Sequence, residues 1–281
     1  MKTKITIVCE NSIATPFPLI GEHGLSVLIE SNDATLFDTG QGLGILHNLK
    51  TLGKDITAIQ RIILSHGHYD HTGGLMQVLQ AINRNIDVYA HPDIFTNKVA
   101  VITLGNQTFE TPIGVRASKE DYEKAGAVFK PISGLTAITS SIRAIAEINR
   151  PQTWQGFDER LKVKMPDGTI KDDIFNDDCS LIIDTESGPV VLLGCAHAGI
   201  VDILHDIAKQ TGYKEFHAVI GGTHLESAPE DYIKKAIHTL KEFKVKKIGT
   251  SHCTGFRVAC RMHQEFKDSF VLATCGAVFE F

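Results

Sequence analysis

At 281 residues, with 43% hydrophobic and 22% charged side chains, the chain has the composition of a folded globular protein and the length for a substantial core. That excludes a disordered or low-complexity chain. Its 28 basic and 33 acidic residues leave a formal charge of −5, so no overall positive field draws in a nucleic-acid backbone, and no run approaches the roughly 18 apolar residues of a membrane span.

The opening MKTKITIVCENS has a short apolar run broken by Cys9 and Glu10, and reads as a first strand, not as the apolar centre of an export signal. Strand-like runs LSVLIES, ATLFDTG, QRIILS and IDVYAH follow, rich in Val and Ile and ended by turn residues. Leu43, Leu46, Leu49 and Leu52 predict a helix with one apolar face, stopped at Gly53. Leu75, Met76, Leu79 and Ile82 predict another. From about 95 to 176 the pattern is less regular. It holds NQTFETPIG, a polar helix in SKEDYEKAG, a strand in SIRAIAEI, and a loop NRPQTWQGFDER with the single tryptophan, Trp154. This stretch reads as an insertion on one domain spanning 1–281.

The C-terminal half repeats the scheme. SLIIDTESGPVVLLGC reads as a hairpin turning at Ser187-Gly188. The helix GIVDILHDIAK, the strand FHAVIGG and the helix SAPEDYIKKAIHTLKEF come next, the last with Ser227 and Glu230 spaced as a capping box. KKIGTS predicts a strand, FRVACRMHQEF a helix, and FVLATCGAVFEF a final strand. In the basic run KKAIHTLKEFKVKK the apolar residues fall on one helical face, so the lysines read as a solvated face and not as a nucleic-acid site. Two sets of strands and helices predict an α/β fold of two packed sheets covered by helices, an αββα sandwich. The six cysteines are scattered without a CxxC pair and, with no export signal, read as reduced thiols of a cytoplasmic protein.

The chemistry concentrates in RIILSHGHYDHTGGL. Here His66, His68, Asp70 and His71 follow a strand directly and precede a helix, the end of a strand where α/β sheets bind ligands. Four such side chains are costly to bury without a partner. His66 and His68 can point the same way in extended chain, while Asp70 and His71 fall on the bend, a pattern that suits two adjacent metals. Three further histidines, His197, His224 and His252, likewise end strands and precede helices.

HGHYDH resembles the HxHxDH signature of the metallo-β-lactamase-fold superfamily, and LFDTG ahead of it is similar to that superfamily's pattern. The resemblance implies the αββα sandwich with ligands on loops at one edge between the sheets. It implies His66, His68 and His197 for a first metal, and Asp70, His71 and His252 for a second. Asp38 would orient a ligating imidazole; its structural alternative is an Asx turn before Gly40. Many binuclear hydrolases of this fold carry a bridging Asp at a later strand end, whereas the matching segment here, FHAVIGGTHL, has none, so His224 is the candidate stand-in. SHGHYDHTGGL, GCAHAGI, GGTHL, SHCTG and EHGLSVLIE look most like the subfamily of the archaeal enzyme that joins a dihydropterin to ribofuranosylaminobenzene phosphate. RAIAEINR, with Glu147, is similar to a GEI-like segment of that subfamily without its Gly.

The activity implied is metal-dependent hydrolysis of an ester or phosphoester small molecule by a metal-bound hydroxide, with Asp70 holding the second metal and steadying the hydroxide's proton. One alternative is pterin transfer, with the metal on a diphosphate leaving group. Another is a metal-binding protein without catalysis. A redox di-iron centre would carry a carboxylate in place of an early His, and His68 argues against it. One or two divalent ions are expected, zinc first, with iron or manganese also suited to imidazole and carboxylate. The expected partner is a small anionic molecule, neither nucleic acid nor membrane. Helix N-termini after Thr72, His197 and Cys253 favour an anion, with Thr254 and Arg257 as candidate anion-binding residues. Cys195 and Cys253 each adjoin a candidate ligand, but neighbours in sequence point apart, so neither is expected in the site.

Overall fold

The computed structural model describes residues 2–14, 16–150 and 156–281. Two seven-stranded sheets form its centre. The first runs, edge to edge, Val278–Glu280, Lys4–Cys9, Ser26–Glu30, Ala34–Phe37, Ile59–Ile63, Ile86–Ala90 and Ala127–Pro131. The second runs Phe270–Leu272, Lys247–Ser251, Ala218–Gly222, Gly188–Leu193, Ser180–Thr185, Ile142–Ile145 and Leu135–Ala137. Each sheet joins an antiparallel half to a parallel half, and helices follow the inner parallel strands, whereas the parallel edge strands Ala127–Pro131 and Phe270–Leu272 run on into further strands.

Strand alternation explains the layers. Ile5, Ile7, Val27, Ile29 and Phe37 face Leu181, Ile183, Val190, Leu192 and Ile220 in a core between the sheets. Leu28, Leu36 and Ile62 point the other way, against the helices Ile45–Thr51 and Leu75–Ile82. Ile182, Val191 and Val219 do the same under Ile200–Thr211, Glu230–Glu242 and Phe256–Phe266. This is the αββα sandwich of the metallo-β-lactamase type. Residues 95–176 divide between the layers: Ala127–Pro131 edges the first sheet, Leu135–Ala137 and Ile142–Ile145 edge the second, and Lys98–Leu104, Gln107–Pro112, Leu161–Lys164 and Ile170–Asp172 form a separate four-stranded sheet. Trp154 lies outside the described residues.

Four local expectations are corrected. The first helix buries Ile45, Asn48 and Leu49, while Leu43 precedes it and is 69% exposed. The face turned because Asn48 is a buried polar hub, its side chain bonding the backbone of Ile20 and Val8. The hairpin turns at Glu186-Ser187, since Thr185 and Gly188 are still paired. The helix at Glu230 starts from Pro229 with no side-chain cap; the fixed φ of proline sets the entry, and Glu230 and Asp231 occupy the first turn. The expected last strand is two strands in different sheets, broken at Gly276 with φ +90°, so the C-terminus stitches the sandwich together.

Candidate metal centre

The polar loop begins where Ile59–Ile63 ends, at the edge between the sheets. His66 and His68 sit in extended chain and turn their rings toward each other, His66 Nε2 lying 3.0 Å from His68 Nδ1. The chain then closes into one helical turn, Tyr69–Thr72, which swings Asp70 and His71 to a neighbouring point. His197, from the loop after Gly188–Leu193, places its ring 4.8 Å from that of His66 and 4.9 Å from that of His68. His66, His68 and His197 thus offer one donor set, with ligand atoms all within 4.8 Å of one another. The second set is Asp70, His71 and His252: Asp70 Oδ2 is 3.2 Å from His252 Nε2 and 3.8 Å from His71 Nε2, and the two imidazole nitrogens are 3.3 Å apart.

Neighbouring groups set which ring nitrogen of His66, His71 and His252 faces the centre. Asp38, buried with φ +59°, accepts from His71 Nδ1 at 2.7 Å and from the Ser65 amide and hydroxyl at 2.7 and 2.6 Å. Its carboxylate is therefore spent on His71 and Ser65 and not on a turn cap. Having given its proton to Asp38, the Ser65 hydroxyl accepts from His66 Nδ1 at 2.9 Å, which leaves the His66 Nε2 lone pair facing the set. His252 is held in the same way, Nδ1 against Asn11 Oδ1 at 2.9 Å and its amide against Glu10 Oε1 at 2.6 Å. Sequence reasoning missed Asn11 and Glu10, which follow the first strand and carry no local signal.

Charge follows burial. Burial first, then the other imidazoles for His66 and His197 and the Lys98 ammonium for His68, holds these three well below the ordinary histidine range, so they are neutral at pH 7. Asp70 behaves oppositely: burial opposes ionisation, but His71 and His252 outweigh it and hold the carboxyl far below its usual range. His71, against burial, is pushed up to about 9 by Asp38 and Asp70.

A buried ion cluster braces the loop from behind. Lys98 Nζ donates to Asp173 Oδ2 at 2.6 Å and to Asp177 Oδ1 at 3.0 Å, and Asp177 Oδ2 accepts from the Gly67 amide at 2.8 Å. Gly67 cannot give way, since a Cβ there would lie 2.2 Å from Ile94 O. Phe175 stacks flat on His197 with centroids 4.4 Å apart, and Asp178 accepts from the Ala198 amide at 2.8 Å.

The remaining predicted residues are spread more widely. His224, with φ +49°, lies beside His197 and Cys195, next to the first set. Thr254 and Arg257 do not form an anion cradle: the Thr254 hydroxyl accepts from Thr223 at 2.9 Å, while Arg257 is 67% exposed and faces Glu230 at 3.8 Å. The helix after Gly255 carries Arg257 away from the centre. Glu147 pairs with His91 at 3.2 Å and Ser133 at 2.8 Å. Cys195 and Cys253, expected to point away, both face the centre with sulfurs 3.1 Å apart. Left-handed backbone at Ala196 (φ +57°) and His252 (φ +51°) turns each cysteine to the side of its histidine. Burial opposes ionisation of Cys253, but the Cys195 thiol and His224 outweigh it and hold Cys253 well below the ordinary thiol range. His23 is also present, Nε2 3.2 Å from Asp70 Oδ2 and half exposed.

Over these groups opens a cavity of about 400 Å³. The four-stranded sheet supplies one wall through Ala100, Ile102 and Leu161, and Arg160, paired with Asp158 at 2.6 and 2.7 Å, lines the same cavity, as does Glu226. The donor chemistry fits a divalent ion. Neutral imidazoles face one another where one proton at most fits between them, an ionised carboxylate lies alongside, and buried His68 Nε2 has no hydrogen-bond partner among the described residues.

Residues 19–248 match the family model of the metallo-beta-lactamase superfamily. The chain is 35% identical to the 7,8-dihydropterin-6-methyl-4-(beta-D-ribofuranosyl)-aminobenzene-5'-phosphate synthase of Methanocaldococcus jannaschii, over 99% of this chain and 96% of the relative. It is 30% identical to an uncharacterized protein of the same organism over 98% of both. Among solved structures, Tm1679, described as a metal-dependent hydrolase of the beta-lactamase superfamily, superposes with a TM-score of 0.82 at 29% identity, covering 99% of both chains. The short form of human tRNase Z, at 15% identity and a TM-score of 0.57 over 98% of both chains, shares the fold.

Proposed function

The chain belongs to the metallo-β-lactamase superfamily and is an enzyme of it; on that premise we propose that it hydrolyses an ester or phosphoester bond of a small anionic molecule at a centre of divalent metal. The observation that carries this is the pair of buried donor sets, His66, His68 and His197 beside Asp70, His71 and His252, opening into one cavity. These six residues would hold the metal, with zinc, iron or manganese matching imidazole and carboxylate donors. A divalent ion in such a place supplies a Lewis acid for a carbonyl or phosphoryl oxygen and acidifies water.

The chain's own groups do the rest. Arg160 places a guanidinium on the cavity wall, where it meets an anionic substrate. Ile102, Ile113 and Tyr69 give that wall its apolar part and exclude bulk water. Asp70 Oδ2, held ionised, accepts a hydrogen bond from the attacking water and orients it. His23, against Asp70 and half exposed, takes up the water's proton and passes it to solvent; burial first holds His23 below the ordinary histidine range, so it is free to accept.

The identity to the synthase supports a second reading, in which a diphosphate leaving group would be bound at the metal held by the same donors and a dihydropterin is joined to a ribofuranosylaminobenzene phosphate. Turnover of a panel of phosphoesters, lactones and the pterin pair in oxygen-labelled water separates the two. Hydrolysis puts the label into the product; transfer joins the pterin pair with no label in the new bond. Metal-loaded protein inactive on every substrate of the panel would refute both.

A further inference from the structure

One sulfur lies close to members of both donor sets. Cys195 Sγ lies within 4.8 Å of ligand atoms of His66 and His71, of His197 and His224, and of His252 and Cys253. His66 and His197 belong to the first donor set and His71 and His252 to the second, so Cys195 stands between the two. Cys253 Sγ, 3.1 Å from Cys195 Sγ, is grouped with it and His252. Both are free thiols, Cys195 buried and Cys253 partly so.

The strand end that faces this space carries no side chain. Ala218–Gly222 closes in two glycines, and a Cβ on Gly222 would lie 2.7 Å from Cys253 Sγ and 2.5 Å from Gly194 O. A carboxylate cannot be presented from there, because the thiol and the backbone already fill its place. The donor that remains between the sets is sulfur.

We propose that Cys195 is a ligand shared by the two donor sets, with Cys253 completing the second, so that the metal centre is joined by thiolate where a carboxylate is missing. The inference rests on the metal-dependent reading above. As each sulfur–metal bond forms, the thiol releases its S–H proton to solvent, and no electron moves. Thiolate is a soft donor, so this centre selects zinc over manganese, a choice that imidazole and carboxylate leave open.

Cobalt(II) reports both layers of the claim. The full chain is stripped of metal under reducing conditions and titrated with cobalt(II), for the wild type and for Cys195→Ser, Cys195→Ala and Cys253→Ser, with circular dichroism as the folding control. The expected wild-type result is visible ligand-field bands together with a near-ultraviolet sulfur-to-cobalt charge-transfer band. Cys195→Ser, close in volume to the native residue, should lose most of that band and show a lower metal content per chain by mass spectrometry. Zinc should displace cobalt from the wild type, whereas manganese should not.

Ligand-field bands without a charge-transfer band in the wild type would overturn the sulfur assignment and leave the metal centre standing. A band that survives in both Cys195 variants and vanishes in Cys253→Ser would overturn the shared role of Cys195. An intact mass lighter by two hydrogens, traced to a Cys195–Cys253 disulfide that persists under the reducing conditions, would also overturn it. No cobalt bands at all would defeat the metal reading itself.

Discussion

Replacing Lys98 by Met tests how the loop of histidines is held. Lys98 is 1% exposed, and its ammonium is 2.6 Å from Asp173 and 3.0 Å from Asp177, both buried. Methionine keeps most of the stem volume and removes the charge, leaving two carboxylates with no cation between them. Breaking a buried ion pair from one side costs about 3–5 kcal/mol, a large share of the roughly 5–15 kcal/mol by which domains are stable.

The pH dependence follows from the signs. The Lys98 pKa is raised: burial opposes the charge, but Asp177 and Asp173 outweigh it. Its contribution is therefore complete below the unfolded lysine value, about 10.4, and fades only as pH rises through the higher folded value. Asp177 is itself raised, by burial first. Without Lys98 the buried Asp177 carboxyl favours the neutral form, so the deficit is largest at neutral pH and narrows in acid. Urea unfolding of wild type and variant at neutral and mildly acidic pH measures this. The triple variant with Asp173→Asn and Asp177→Asn should regain much of the loss, because no unpaired charge is left. A deficit within the 0.5 kcal/mol or so of a surface substitution, or one that grows in acid, would refute the reasoning. Because Asp177 also anchors the Gly67 amide, the single variant should bind metal more weakly as well.

Asp70→Ala should abolish turnover while circular dichroism shows the fold intact; retained activity would remove Asp70 from the site. Asp38→Asn swaps an acceptor of three hydrogen bonds for an amide that offers His71 a weaker partner, and metal affinity should fall about 10–100-fold, read by competition with a chelator. Asp178 is raised to about 6, chiefly by burial. Its native form holds a proton that the unfolded chain has lost, so the metal-free protein should lose stability as pH rises from the unfolded carboxylate range through 6. Asp178→Asn should flatten that part of the curve, and an unchanged slope in thermal melts would contradict the assignment.

What the sequence carried by itself was whatever is local. The spacing of His66, His68, Asp70 and His71, and the rule that each of His197, His224 and His252 follows a strand and precedes a helix, were legible without coordinates. So were most of the strands, as runs rich in Val and Ile ended by turn residues. Tertiary structure decided what depends on distant chain. His71 and His252 meet across 181 positions, His252 is oriented by Asn11 and Glu10 from the other end of the molecule, and Lys98 reaches Asp173 and Asp177 behind the loop. Sequence spacing places Cys195 and Cys253 outside the site, because neighbours in sequence ordinarily diverge. Left-handed backbone at Ala196 and His252 reversed that, and a backbone conformation imposed by packing leaves no mark in the spacing of side chains. Arg257 failed for the opposite reason: it follows a motif closely, but the helix it rides turns it toward Glu230. Proximity along the chain names candidates, and the direction in which each side chain points is fixed by contacts from elsewhere in the fold.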